Sequence, residues 1–516
     1  KHEHIERSKI TKNYSQVVFF DFETSTNKDT HKPYLVCHAN VPMEKITSDL
    51  NDFSNKYYVE AKFGSSCAFQ FLNSLDRNSV LIAHNIKYDI RFLMPHIFAV
   101  QFVERQGRLM GGSFKYYNPR TKKTFIHEIR DSCLMIAKKL IEFPEMFFTK
   151  TQQESVKKEI MPYALYTEEN VEKETLTIEE AFKYITDKKD QEQFLKNITE
   201  WRLFMDPKKL TFSHILYATR YCQQDVRVLL FGYRKFRDMI KELTGLEIIE
   251  YLSLSSIGDD FMRKEGAYTD CYKLNGCVRR FIQKAVVGGR CMIRDNTKHK
   301  SKERVQDFDA TSLYPSAIAR LGFLKGVPKI IPDNATYLQL QSYDGYFVEI
   351  NVRKINKRLH FPILSKLTED GTRLFSNDIT GNIIVDKYTL EDLIEFQDME
   401  FDILGGYYFD SGRNYNCQSI IRRLFNLRKK KKKEGNNIQE IIKLLMNSVY
   451  GKTILKDEPK KIIYMDNEKE AMKYIMRNSD IICDFNKIVS DGFNTKYRIK
   501  ILDETDDLFT SPHIGA

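Results

Sequence analysis

Two kinds of feature are scarce in this 516-residue chain, and each scarcity removes a class of explanation. Its nine cysteines are scattered, the closest pair being Cys271 and Cys277. Neither a disulfide framework nor a CxxC zinc spacing is therefore written into it, and a reducing compartment is the default. Long apolar runs are missing too. The stretch from Leu93 to Val103 is broken by Pro95, His96 and Gln101 and falls well short of the ~18 apolar residues that span a bilayer, so no membrane partner is expected. There is no internal repeat, and the one low-complexity run is Lys429 to Lys433. Lys1 to Thr11 lack the apolar core of a signal peptide, and the first residue is not Met, so further sequence upstream is expected.

What is present has the size of roughly three or four domains. Lys and Arg number 81 against 70 Asp and Glu, a net charge of +11 that makes a polyanion a plausible partner. Val17-Val18-Phe19-Phe20 and Val80-Leu81-Ile82-Ala83 read as buried strands, and the apolar period from Ile215 to Phe231 as a helix. Strands mixed with helices imply an α/β first domain to about residue 235, with an acidic helical insert from Glu168 to Glu200. A second compositional unit begins near Ala285, and Val305 to Asp309 reads as a strand. From Asp333 to Asp410 the pattern is mixed short strands, with turns expected at Asn351, Gly371, Gly381 and Gly405-Gly406. Ile420, Ile421, Leu424 and Leu427 define one amphipathic helix, and Ile438, Ile441, Ile442, Leu445 and Val449 another. Gly435-Asn436-Asn437 between them implies an antiparallel hairpin with a basic tip.

In Asp21-Phe22-Glu23 the strand period of two puts both carboxylates on one face and Phe22 on the other. Two such anions repel unless a cation sits between them. Asn85-Ile86-Lys87-Tyr88-Asp89 follows the second strand, and Tyr221 and Asp225 share a helix face at i and i+4. Asp21, Glu23, Asp89 and Asp225 with the Tyr221 phenol are the set that two-metal phosphodiester hydrolysis needs. Downstream, Asp309-Ala310-Thr311-Ser312-Leu313-Tyr314-Pro315 follows a strand-like run, with Asp307 on the same strand face as Asp309. Lys443, Asn447 and Tyr450 fall at i, i+4 and i+7, opposite the apolar face of the second hairpin helix, and a lysine there acts as a point charge on a triphosphate.

These segments resemble exonuclease motifs I, II and III and polymerase motifs A and B of the family B DNA polymerases. The resemblance runs over essentially the whole chain. It implies an α/β and α+β multidomain protein: an RNase H-like 3′-5′ exonuclease domain followed by the palm and helical-hairpin fingers of a right-hand polymerase. The expected boundaries are 1–235 for the exonuclease domain, 236–300 for a connector, 301–335 for the palm with motif A, and 336–415 for palm continuation and a terminal-protein-region-like insertion. Residues 416–455 are the expected fingers with motif B, and 456–516 an incomplete palm or insertion.

The resemblance also implies roles. Thr24, Asn85, Tyr88 and Ser132 would contact the single-stranded primer end. Asp309 would be the catalytic metal ligand, Tyr314 would lie under the incoming sugar, Lys443 and Asn447 would face the nucleotide, and Tyr450 would pack on the nascent base pair, with Gly451 allowing close approach. Among Arg428 to Lys433 a cation would receive the triphosphate. Gly288-Gly289 resembles the YxGG motif that approaches DNA phosphates, without its Tyr, since Ala285-Val286-Val287 precedes the glycines. Implied cofactors are two Mg2+ or Mn2+ per active site. Implied partners are primer-template and single-stranded DNA, dNTPs and a terminal priming protein, because the roughly 130 residues from Asp309 to Lys443 fit the protein-primed, φ29-like subgroup of linear plasmids and adenoviruses.

Tyr-x-Asp-Thr-Asp-Ser, which carries the second polymerase carboxylate in that family, does not occur. Asp503-Glu504-Thr505-Asp506-Asp507 is its nearest imitation and reads as an acidic loop. Ser511 to Ala516 resemble the start of the helix before motif C, so the chain is expected to stop short of a complete polymerising centre. Two other readings are a stand-alone 3′-5′ exonuclease and a non-catalytic polymerase relic acting as a replication scaffold.

Overall fold

The computed structural model describes residues 3–4, 14–26, 31–47, 58–105, 107–155, 160–291, 297–310, 312–369, 371–454, 460–488, 495–502 and 511–516. The chain divides into two compact units. One comprises Ile10–Leu254 with Glu458–Glu504, the other Lys1–Lys9, Ser255–Asp457 and Thr505–Ala516.

The first unit is built on a seven-stranded mixed sheet. Its strands are β1 (Gln16–Thr26), β2 (His31–Pro42), β3 (Glu60–Phe63), β4 (Ser79–Ala83), β5 (Phe98–Arg105), β6 (Arg108–Asn118) and β7 (Lys123–Asp131), in the spatial order β3-β2-β1-β4-β7-β6-β5. β1, β4 and β7 run parallel at its centre, and the remaining pairs are antiparallel. Parallel strands covered on both faces read as unbroken apolar runs, and Val17 to Phe20 are all fully buried. On one face Phe20 stacks on Phe71 at 5.2 Å and Phe22 meets the same ring edge-on at 6.3 Å. On the other, Phe19 meets Tyr233 edge-on at 5.5 Å. Tyr233 belongs to α1 (His214–Thr244), which starts where the Ser213 hydroxyl accepts from Leu216 N–H and ends at Gly245, φ 70°. The helix runs past the expected Phe231 because Tyr233, Phe236 and Ile240 keep its buried stripe going. By the strand period, Asp21 and Glu23 share the face of Phe19, toward α1.

The acidic insert forms short helices at Glu168–Val171, Ile178–Phe182 and Lys188–Glu200, capped by Thr167, Thr177 and Asp187. Residues of Glu458–Glu504 form a three-stranded antiparallel sheet, Lys460–Met465, Lys496–Leu502 and Ile482–Ile488 in spatial order, with a helix at Glu468–Arg477. Tyr464 and Arg498 from this sheet both reach the Glu104 carboxylate of β5, at 2.7 and 3.1 Å.

The second unit contains α2 (Leu313–Leu321), β8 (Lys329–Ile330), β9 (Gly345–Ile355), β10 (Gly381–Asp386), α3 (Lys387–Gln397), β11 (Met399–Phe409), α4 (Asn416–Lys433) and α5 (Ile438–Thr453). Its main sheet is antiparallel in the order β8-β11-β9-β10, and Leu390 and Leu393 of α3 share a core with Val348 and Ile350. Residues 434–437 join α4 to α5, a connection short enough to make them antiparallel neighbours.

Two local expectations are corrected. Val305 to Asp309 forms no strand. A strand needs a ladder partner, none of the described residues supplies one, and Val305 and Phe308 stand 77% and 86% exposed. Asn351 and Gly405-Gly406 are not turns but lie inside β9 and β11, Asn351 opposite Asn382 and Asp402. At Gly406, φ is +151° and a Cβ would meet the Phe347 carbonyl oxygen at 2.1 Å. The glycines thus mark a register shift between Glu349 and Ile350 where two backbones close up.

Phe71 carries the packing behind the Asp21–Glu23 strand without touching the carboxylate face. Phe71→Ala is expected to lower the stability of the first unit by about 3–5 kcal/mol, read as an earlier denaturant transition. An unchanged midpoint would contradict this account of the core.

Candidate functional sites

In the first unit the apolar strand β1 delivers Asp21 and Glu23 to its polar end. The backbone N–H of Phe22, between them, donates to Asp89 Oδ1 at 3.2 Å and ties the turn after β4 to the strand. Glu23 and Asp89 are buried, 6% and 3% exposed, while Asp21 is half-buried. Tyr221 and Asp225 come from one face of α1. Burial first, and then the charges of Asp89 and Asp225, hold the Asp21 carboxyl well above the usual range. Burial, Asp21, Asp225 and Asp89 do the same to Glu23, and burial pushes Asp89 up to about 7. Burial together with the neighbouring carboxylate charges that raise Asp21 and Glu23 marks a site with surplus negative charge.

Cys222 joins them, which sequence reasoning missed. Its Sγ–H donates to the Asp21 carbonyl oxygen at 3.4 Å, and ligand atoms of Asp21, Glu23 and Cys222 lie within 4.8 Å of one another. Among the described residues this is the one group of three or more possible metal ligands. Tyr163, in the insert, is the second residue missed. Its phenol lies 3.2 Å from that of Tyr221. Burial pushes Tyr163 up to about 12, with Glu23, Asp225 and Asp21 adding to the rise, and burial followed by Asp225 raises Tyr221 as well. Both phenols therefore keep their protons and act as neutral hydroxyls.

The rim of the site holds the other expected contacts. Thr24 Oγ1 and Tyr88 Oη are 2.7 Å apart, and Arg91 lies over the Tyr88 ring at 4.4 Å. Asn85 takes a left-handed conformation, φ 67°, with its N–H donating to Asp131 Oδ1 at 2.8 Å. The Ser132 hydroxyl donates to the Ala83 carbonyl at 3.1 Å and lies 2.9 Å from His84 Nδ1, so it is committed inside the fold.

The second unit brings together residues distant in sequence. Tyr314, on the first turn of α2, stacks on Tyr450 of α5 with ring centroids 4.4 Å apart and planes at 24°. A Cβ on Gly289 would sit 3.0 Å from the Tyr314 hydroxyl, so backbone approaches the phenol there, whereas a Cβ on Gly288 or Gly451 would meet nothing. Lys443 and Asn447 are exposed on the side of α5 opposite its buried stripe. In the basic run Arg428 is half-buried, Lys429 lies over Phe425 at 4.8 Å and Lys431 pairs with Glu434 at 3.2 Å. Lys430, Lys432 and Lys433 remain exposed. Asp309 is exposed and belongs to no group of three or more possible metal ligands among the described residues. Thr311 and the 503–507 loop lie outside the described residues.

Residues 72–503 match the sequence model of DNA polymerase type B, organellar and viral. The chain belongs to that family. It is 23% identical over 460 residues to a DNA polymerase of Kluyveromyces lactis, covering 84% of this chain and 43% of that protein. A probable DNA polymerase of Neurospora intermedia is 21% identical over 373 residues, 71% of this chain and 37% of that one. The chain thus spans less than half the length of these curated relatives. Among solved structures, φ29 DNA polymerase bound to primer-template DNA aligns with a TM-score of 0.61 at 14% identity, covering 97% of this chain and 74% of that one. The same polymerase in an orthorhombic crystal form gives 0.60 at 13%, with coverage of 95% and 81%. The fold is therefore that of a type B polymerase with an RNase H-like exonuclease domain, palm and fingers.

In this family member the raised carboxyls set a pH dependence. Native Asp89 keeps its proton up to about 7, whereas the unfolded side chain loses it near 3.8. The native state binds more protons in that window, so the stability of the metal-free first unit falls as pH rises through it. Thermal scans in chelator are expected to show a lower transition temperature at pH 7 than at pH 5, with Asp89→Asn flattening the slope. A transition that climbs over that interval would refute the assignment.

Proposed function

We propose that this chain carries the 3′-5′ exonuclease and the nucleotide-binding part of a DNA-directed DNA polymerase that replicates DNA by template-directed dNTP addition and starts from a protein primer. The observation that carries the reading is the clustering of Asp21 and Glu23 at the end of β1, with Asp89 tied to the strand at Phe22 and the charges of Asp89 and Asp225 raising both carboxyls. Oxygen donors at surplus negative charge suit a hard divalent cation. Asp21, Glu23, Asp89 and Asp225 would hold two Mg2+ or Mn2+ ions. When bound, these would activate a water and take up charge developing on the scissile phosphate.

The protein's own groups do the rest. The Tyr221 phenol, held as a neutral hydroxyl beside Tyr163, orients the attacking water by hydrogen bonding. Thr24 and Tyr88 hold the strand end at the rim with Asn85 beside them, whereas the fully buried Ser132 serves the fold and makes no strand contact. In the second unit the Tyr314–Tyr450 stack, with Gly289 close to its phenol, is the platform for a nucleotide sugar and base. Lys443, with Arg428 or the exposed Lys430, Lys432 and Lys433, receives the triphosphate as point charges. φ29 polymerase has been solved with primer-template DNA, with single-stranded DNA and with incoming nucleotides, and we assign this chain the same classes of partner. Residues 336–415 are the proposed docking region for a terminal priming protein. Asp309 is the metal ligand assigned to the polymerising site, where two ions need further carboxylate ligands beside it.

Two assays test the reading. Hydrolysis of a 5′-labelled single strand in Mg2+ is expected for the wild type and should drop to background in Asp21→Ala with Glu23→Ala. Degradation by that double variant at the wild-type rate would remove the metal assignment. Calorimetric dNTP binding should weaken about tenfold or more in Lys443→Ala, the loss expected of one charged hydrogen bond. Unaltered binding would detach Lys443 from the triphosphate.

A further inference from the structure

Cys222 lies on the face of α1 that also carries Asp225, three residues further on, and it is fully buried. A buried cysteine ordinarily packs as a small apolar group. This one meets a carboxylate instead. Its Sγ lies 3.4 Å from the Asp21 carbonyl oxygen and 3.9 Å from Asp21 Oδ2, and the ligand atoms of Asp21, Glu23 and Cys222 all fall within 4.8 Å of one another. A second thiol is near without joining them. Cys37 stands across the β1–β2 ladder from Asp21, but its Sγ–H donates to the Thr219 carbonyl at 3.8 Å and it is outside the group of three.

A thiol among carboxylates divides metal ions by class. Mg2+ and Mn2+ take oxygen ligands and leave sulfur aside. Zn2+ accepts both, and one sulfur with two carboxylates makes three protein ligands of a four-coordinate centre whose last position stays open to water. The three side chains need to draw in by only about 1 Å to reach a common ion at ordinary Zn–S and Zn–O distances. As the sulfur–metal bond forms, the Sγ–H proton passes to solvent and the hydrogen bond to the Asp21 carbonyl is given up.

We propose that Cys222, Asp21 and Glu23 form a binding site for a thiophilic divalent ion of the Zn2+ class, which takes the two carboxylates away from hard ions. The inference rests on the metal assignment of Asp21 and Glu23 made above, but its own content, the sulfur ligand, is read from metal binding rather than from hydrolysis, so the two fail separately.

Co2+ reports the sulfur directly, because a thiolate bound to it gives a charge-transfer absorption in the near ultraviolet that oxygen ligands do not. The test titrates Co2+ into the full chain with its exposed Cys277, Cys291 and Cys483 replaced by Ser. This parent chain is expected to give the band and to lose it when Zn2+ is added. In that background Cys222→Ser should abolish the band and weaken Zn2+ binding about 100-fold or more, at least the loss that follows removal of an outer-shell partner. Its Mn2+ affinity, followed by the free-ion EPR signal, should change by less than about threefold, because that ion uses oxygen ligands. Asp21→Ala with Glu23→Ala should also abolish the band, and Cys37→Ser should keep it. Zn2+ added to the Mn2+-loaded parent should return Mn2+ to solution. A parent without the band, a band that survives Cys222→Ser or the double carboxylate variant, and a band lost in Cys37→Ser would each overturn the proposal. So would a Cys222→Ser chain whose Mn2+ and Zn2+ affinities fall together, or Zn2+ that binds without releasing Mn2+. A parent that gives the band yet degrades no strand in Mg2+ would sink the nuclease reading and leave this site standing, whereas Mg2+-dependent degradation without the band would do the reverse.

Discussion

The repulsion among Asp21, Glu23, Asp89 and Asp225 is the constraint around which the first unit is arranged. Two like charges about 4 Å apart near a protein surface oppose each other by about 4 kcal/mol, against a total of about 5–15 kcal/mol that keeps a domain folded. A metal-free chain cannot carry several such pairs in ionised form, and the raised carboxyls express this: protons are retained where cations are absent. What keeps the groups together is apolar. Fully buried Val17 to Phe20 fix β1 between the Phe71 layer and α1, and the Phe22–Asp89 hydrogen bond brings in the third carboxyl. A 31-residue helix is then needed to carry Tyr221 and Asp225 to the same place while anchoring itself through Tyr233, Phe236 and Ile240.

Much of this was legible because it is written locally. Asp21-Phe22-Glu23 states its own geometry through the strand period, and the Tyr221–Asp225 spacing states its own through the helix period. What escaped was set by contacts between distant segments. Cys222 differs from its neighbours only in which way it points, and that depends on how α1 rolls against β1. Tyr163 reaches Tyr221 from an insert whose composition says only "solvated helix". Gly405-Gly406 misled for the opposite reason: glycine signals both a turn and a close backbone approach, and only the partner strand decides between them. Val305 to Asp309 read as a strand because strand pattern is local while a ladder is not.

The second unit is organised by contact rather than by charge. Tyr314 and Tyr450 lie far apart in sequence yet stack face to face, each satisfying the other's apolar ring. A contact of this kind contributes about 0.5–1.5 kcal/mol beyond the area it buries, little enough for a ligand ring to displace or extend. Around it the cations of α4 and α5 divide by environment. Those leaning on Phe425 or Glu434 are engaged within their own helix region, whereas Lys430, Lys432, Lys433 and Lys443 stand in water. Sequence showed a run of equivalent charges, and packing makes them unequal.

The two units therefore differ in what a cation would meet. Around Asp21 a divalent ion must displace protons that burial has stabilised, so binding there is a proton-releasing exchange whose affinity grows with pH. Asp309 stands exposed and belongs to no group of three or more possible ligands among the described residues, so no comparable cluster surrounds it there. Preorganisation is worth most where the protein has already set like charges against one another. The first unit has done so at the cost of metal-free stability, and an ion relieving the repulsion would be held where the proposed hydrolysis needs it.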